Sequence, residues 1–218
     1  MYTLVFDTTG NGVACAIYKD KEITQRIEKI MEFGQAEELA VGVDKMLKDE
    51  GISFQNINLL GVCTGPGSFT GVRASLAFAR GLAIGKEDLL ITGVSGFEVY
   101  ARMLKEDHRA LYNAVVIETK REDFYFQLFY EKLNKLTPPL ALTREDIAQK
   151  LKNHQVSFIG DGVERLLSQS MGLQIKHVEF VEMMDIRSLF EAVYAKYLEK
   201  TLDFPKPLYI REAQTCVK

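Results

Sequence analysis

The chain has 218 residues, 47% of them hydrophobic and 26% charged, with 16 Gly, 5 Pro and 3 Cys, a balance that excludes collagen-like, disordered and disulfide-scaffold proteins. A net charge of -3 argues against a chain that grips nucleic acid or anionic lipid unaided, because such proteins carry a basic excess. The length lies between one large domain and two small ones, and two half-sized lobes fit it.

Residues 1–7 (Met-Tyr-Thr-Leu-Val-Phe-Asp) lack a basic leader segment, and no apolar run approaches the roughly 18 residues that a membrane helix needs. A cytoplasmic protein without a membrane contact is the expectation. Residues 4–6 and 13–18 read as two strands joined by the turn Asp7-Thr8-Thr9-Gly10-Asn11-Gly12, and residues 22–28 add a third. Over residues 35–48, Ala36, Leu39, Ala40, Val43, Met46 and Leu47 take the spacing of one helical face. Residues 59–63 make a short buried strand, 65–71 a glycine loop and 72–84 a second helix. Strands alternating with helices indicate an α/β layer protein.

The second half repeats this order. Laid without gaps, residues 4–18 fall on 115–129, so that Leu4 meets Val115, Asp7 meets Glu118, and Val13, Cys15 and Ile17 meet Phe124, Phe126 and Leu128. A helix over 143–152 follows, with Thr143 as its cap and Asp146 reaching back. Then come a strand over 156–159, the turn Gly160-Asp161-Gly162, and a helix through Val163, Leu166 and Leu167. One lobe written twice accounts for this order. Residues 185–200 carry a further apolar helical stripe, which Pro205 and Pro207 end.

The chemistry-bearing residues are sparse. Cys15, Cys63 and Cys216 form no C-x-x-C pair and read as packing residues, while His108, His154 and His177 are scattered. The most specific string is Gly65-Pro66-Gly67-Ser68-Phe69-Thr70-Gly71-Val72-Arg73, between a strand and a helix. Spacing alone leaves two readings open, an anion cradle at a helix N-terminus and a tight strand-to-helix turn. The helix that follows is poor in bulk at Gly71, Ala74, Ser75, Ala77, Ala79, Gly81, Ala83 and Gly85, which permits close approach by another backbone. The turn at Asp7 and the Gly160-Asp161-Gly162 turn each admit a phosphate or a plain structural role. No Ser/His/Asp set has a recognisable spacing, and Arg121-Glu122-Asp123 reads as a surface turn.

The string at 65–73 with Gly81-Leu82, preceded by the Asp7-Thr8 hairpin and followed by Val94-Ser95, Phe124-Tyr125, Gly160-Asp161-Gly162 and Pro207-Leu208-Tyr209-Ile210-Arg211, closely resembles the TsaB (YeaZ) family of the TsaD-like ASKHA superfamily. The resemblance implies duplicated actin/hexokinase/Hsp70-like α/β lobes, each a mixed sheet flanked by helices, at 1–100 and 101–218, with the last residues free to pack back on the first lobe. It implies a noncatalytic scaffold and activating subunit for TsaD, in a complex completed by the ATPase TsaE. That complex transfers a threonylcarbamoyl group to N6 of adenosine 37 in tRNAs reading codons beginning with A, so tRNA is reached only through the partners.

In the catalytic relative, a helix of the first lobe supplies an H-x-x-x-H metal pair. The matching helix here opens Phe33-Gly34-Gln35-Ala36-Glu37-Glu38-Leu39 without an imidazole, so no metal and no catalytic residue is expected. Gln35 stands where many members carry histidine, and Glu118 where many carry aspartate. The family's interface, for TsaD or for a second copy, implies Gln35, Leu39, Val43, Val72, Arg73, Leu76, Ala77, Arg80 and Gly81 as contact residues. Asp7, Thr8, Thr9, Gly10, Gly160, Asp161 and Gly162 would form a vestigial nucleotide site. No cofactor is required of such a subunit and ATP binding is left open. The alternative is a small ATP-binding kinase or ATPase of the same fold class.

Overall fold

Apolar residues with period two and few breakers favour extended chain at the N-terminus. In the computed structural model, which describes residues 1–211, β1 (Tyr2–Asp7), β2 (Gly12–Lys19) and β3 (Glu22–Ile30) form an antiparallel meander. The strands β4 (Ile57–Cys63) and β5 (Leu90–Val94) extend it in parallel beyond β1. The order is β3-β2-β1-β4-β5. Between them run α1 (Gln35–Asp49) and α2 (Phe69–Ile84), followed by α3 (Gly96–Met103).

The second sheet holds β6 (Tyr112–Glu118), β7 (Phe124–Tyr130), β8 (Leu140–Leu142), β9 (Gln155–Gly160) and β10 (Gln174–Phe180). Its order is β8-β7-β6-β9-β10, with β6-β7-β8 antiparallel and β9 and β10 parallel to β6. This is the topology of the first sheet, strand for strand. The helices α4 (Arg144–Leu151) and α5 (Val163–Leu167) occupy the chain positions of α1 and α2, and α6 (Ile186–Leu198) ends the regular structure. Thr143 caps α4 as expected, accepting from Asp146 N while the Asp146 carboxylate accepts in return.

The ladders refine the repeat. Phe6 pairs with Cys15 and Leu4 with Ile17 on the helix-covered face of the first sheet. The corresponding pairs in the second are Val116 with Phe126 and Ala114 with Leu128. The gap-free match is therefore right on β2 and β7 and one residue out on β1 and β6, since a one-residue slip turns a strand over. Asp7 corresponds to Ile117, not to Glu118.

The chain divides into two compact units, Met1–Met103 with Val181–Pro207, and Leu104–Phe180 with the described residues from Leu208 onward. The first break in the chain falls after Met103. Residues 181–207, expected with the second lobe, group with the first, because α6 lies on β1, β4, β5 and α3. Phe190 stacks on Tyr18 at 3.7 Å between centroids, and a Cβ at Gly61 would lie 2.3 Å from a Val193 methyl. The first unit's sheet is thus covered on both faces, which is why β2 is buried at every residue but its last. Cys15 and Cys63 are buried in this core, and burial pushes the Cys15 thiol up to about 12. Cys216 lies outside the described residues.

Asp185 caps α6, its carboxylate accepting from Arg187 N at 3.3 Å and from Ser188 N at 3.0 Å. Asp185→Ala is expected to lower stability by about 1–2 kcal/mol, read as a lower urea midpoint at unchanged slope.

Candidate functional site

The signature loop is built around glycines that the neighbouring turn requires. A Cβ on Gly67 would stand 2.2 Å from the Thr9 carbonyl oxygen, and one on Gly71 only 1.9 Å from that of Thr8. Gly65 has φ +91°, a region that L side chains rarely adopt. Hydrogen bonds close the contact: Ser68 N donates to Thr9 O at 2.8 Å and Thr8 Oγ1 donates to Gly71 O at 2.8 Å. Thr8 Oγ1 also lies 2.7 Å from Ser75 Oγ, and Gly96 N donates to Gly65 O at 2.8 Å. Of the two readings that spacing left open, the tight turn accounts for these glycines. The loop packs the start of α2 onto the β1–β2 turn.

That turn is closed by Asp7, whose Oδ1 accepts from Thr9 N at 2.9 Å. Asp7, Thr8 and Thr9 are 3%, 0% and 2% exposed, and burial raises the Asp7 carboxyl above its usual range against the opposing bonds from Thr9. Gly10 has open space around its α-carbon.

The second turn lies in the other unit. Gly160, at φ +132°, would place a Cβ 2.1 Å from Val116 O, and Gly162 one 3.0 Å from Glu118 N. Asp161 Oδ1 accepts from Glu118 N at 2.9 Å, and burial pushes the Asp161 carboxyl up to about 7. Glu118 behaves oppositely. Burial raises its carboxyl, but a two-pronged bond from Arg165 at 2.7 and 2.8 Å and the Lys120 amide outweigh this and hold it low. Arg165 also covers the Phe124 ring at 3.8 Å. Arg121 and Glu122 are exposed as expected, whereas Asp123 is partly buried: it pairs with Arg211 and accepts from Thr119 Oγ1.

The expected contact residues separate into two sets, with Gln35 between them. Leu39, Val43, Val72 and Leu76 are at most 4% exposed and belong to the first unit's core, so they support the two helices from within. Gln35 is half-buried and donates to Met31 O and Glu32 O. Arg73, Ala77, Arg80 and Gly81 are exposed on α2. With them stand Phe69 and Ile84, 54% and 85% exposed, and beside or on α1 Phe33 and Val41, 78% and 67% exposed. The spacing 69, 73, 77, 80–81, 84 follows one helical face. Arg73 lies over Phe69 at 3.9 Å, and Arg80 donates to Pro205 O at 3.2 Å. The exposed apolar residues were missed because they stand off the main amphipathic stripe, and that position is the signal that would have found them.

The histidines correct a further expectation. His154 packs on Tyr112, but His108 and His177 stack at 3.8 Å between ring centroids.

Two copies of one mixed-sheet lobe, each flanked by helices, define a protein of the actin/hexokinase/Hsp70-like class. The family model described as "TsaD: tRNA N6-adenosine threonylcarbamoyltransferase" matches residues 29–201, and the chain belongs to that family. It is similar to the tRNA threonylcarbamoyladenosine biosynthesis protein TsaB of Haemophilus influenzae, 28% identical over 68% of this chain and 62% of the relative. The TsaB of Buchnera aphidicola subsp. Baizongia pistaciae is 24% identical over 78% of this chain and 80% of the relative. YeaZ from Pseudomonas aeruginosa superposes with a TM-score of 0.79 at 17% identity, covering 95% and 99% of the two chains. The expected TsaB (YeaZ) resemblance and ASKHA-like fold both hold. The match spans less than two thirds of the Haemophilus relative's length. No helix among the described residues is long and apolar enough to cross a membrane.

Proposed function

We propose that this chain is a noncatalytic scaffold and activating subunit for a TsaD-type transferase in forming threonylcarbamoyladenosine on tRNA, and that it docks through the outward face of α1 and α2. The observation that carries this reading is the exposed stripe Phe69, Arg73, Ala77, Gly81 and Ile84, where Gly81 has nothing within 4 Å of a Cβ position. A flat, small-residue centre rimmed by large apolar side chains suits a partner helix. The relatives' names support the pathway. The net charge of -3 supports contact with tRNA only through the complex; we further propose that the chain works in the cytoplasm, with TsaE as a further member and homodimers forming on the same face.

The test is gel filtration and calorimetry of the chain with its TsaD. A complex at micromolar concentration is expected, and Gly81→Leu should weaken it about tenfold or more while leaving thermal unfolding of the free chain in place. No complex with the unaltered chain overturns the proposal. Low-micromolar ATP binding with hydrolysis by the chain alone would instead support the small ATPase reading.

A further inference from the structure

We propose that His108, His177 and Glu179 form a binding site for a borderline divalent transition metal, zinc being the natural occupant, with water completing the coordination. All three residues belong to the second unit, far in sequence from the α1 and α2 face and independent of its role.

The site is assembled by sheet register. His177 and Glu179 are two apart on β10 and so share a face of the strand. The β9–β10 ladder slips between Ile175 and His177, which leaves Lys176 out of register and sets His177 opposite Ser157. Ser157 Oγ donates to His108 O at 2.7 Å, and Lys176 Nζ donates to Arg109 O. These two bonds, one from β9 and one from β10, hold the short 3-10 turn Glu106–His108 and the following Arg109 against the two strands. His177 Nε2 then lies 2.9 Å from Glu179 Oε2, and His108 Nδ1 lies 3.9 Å from the same oxygen. One ligand atom from each residue falls within 4.8 Å of the other two.

His108 Nδ1 is the second observation. It is buried and has no hydrogen-bond partner, whereas nearly all buried ring nitrogens are paired. It is aimed toward the carboxylate that His177 contacts. A cation among the three would satisfy this nitrogen. Two imidazoles and one carboxylate suit zinc, cobalt or nickel, and not the all-oxygen preference of magnesium or calcium. The side chains remain 26–41% exposed, so water reaches the fourth position. Bound metal would tie the segment leading into β6 to the edge strand β10, a stabilising clamp with no part in group transfer.

Calorimetric titration of the full chain with zinc chloride, after dialysis against chelator, should give one site of micromolar affinity and a rise in melting temperature with zinc concentration. His177→Asn and Glu179→Gln should each weaken binding at least about tenfold, and cobalt should give a tetrahedral visible spectrum that both variants lose. Circular dichroism checks that the variants fold, and because Glu179 is a partly exposed residue of the edge strand its variant serves if the histidine variant does not fold. Absence of zinc binding overturns the proposal, as does equal binding by the wild type and both variants.

Discussion

Gly71→Ala is expected to destabilise the protein by about 3 kcal/mol or more, measured by urea denaturation. The added methyl would stand 1.9 Å from Thr8 O and 2.9 Å from Thr8 C. Both are backbone atoms, so no rotamer change relieves the overlap. Moving the Thr8 turn instead would break the Thr8–Gly71 and Thr8–Ser75 hydrogen bonds inside a region closed to water, and unpaired buried groups carry their full desolvation penalty. The control is Gly81→Ala in the same helix, where no atom lies within 4 Å. Alanine there should stabilise by up to about 1 kcal/mol through helix propensity. Opposite signs for one chemical change in one helix would separate a glycine that the fold demands from one that leaves room for a partner. Equal effects at the two positions would refute that distinction.

The same contrast explains what the sequence could and could not convey. Local signals worked where one residue type dictates one geometry: α1 begins at Gln35 as expected, and the Thr143 and Asp146 box opens α4. Signals failed where long-range register decides. The strand β10 lacks clean alternation because of the slip at Lys176, and the meeting of His108 with His177 follows from that register and from Ser157. Helical periodicity also reports the face buried in the chain's own core. It marked Leu39 and Val43 on α1, the family resemblance added Val72 and Leu76, and the outward residues Val41 and Ile84 were left unmarked. A partner face is the complement of an amphipathic stripe.

Stability should fall as pH rises from about 4 to 7, and Asp161→Asn should remove much of that fall. Burial pushes the Asp161 carboxyl from 3.8 up to about 7. Below 3.8 both the folded and unfolded chains hold the proton, and no difference arises. Between 3.8 and 7 the unfolded chain releases it while the folded chain keeps it, so unfolding gains with each unit of pH, by about 1.4 kcal/mol. Above 7 the penalty is constant, and about 4 kcal/mol is its upper bound, since the side chain retains some exposed surface. Asp7, also raised by burial, acts in the same direction. Glu118 is held low and acts in the opposite sense, its contribution being lost as pH falls through the acid range. The difference between the wild type and Asp161→Asn, followed between pH 5 and 8, thus isolates the Asp161 contribution. Asparagine keeps an oxygen that accepts from Glu118 N, so the variant should exceed the wild type in stability at pH 8 and approach it at pH 5. A variant no more stable than the wild type at pH 8 would mean that the folded protein ionises Asp161 without penalty, and that water reaches it more freely than its surroundings imply.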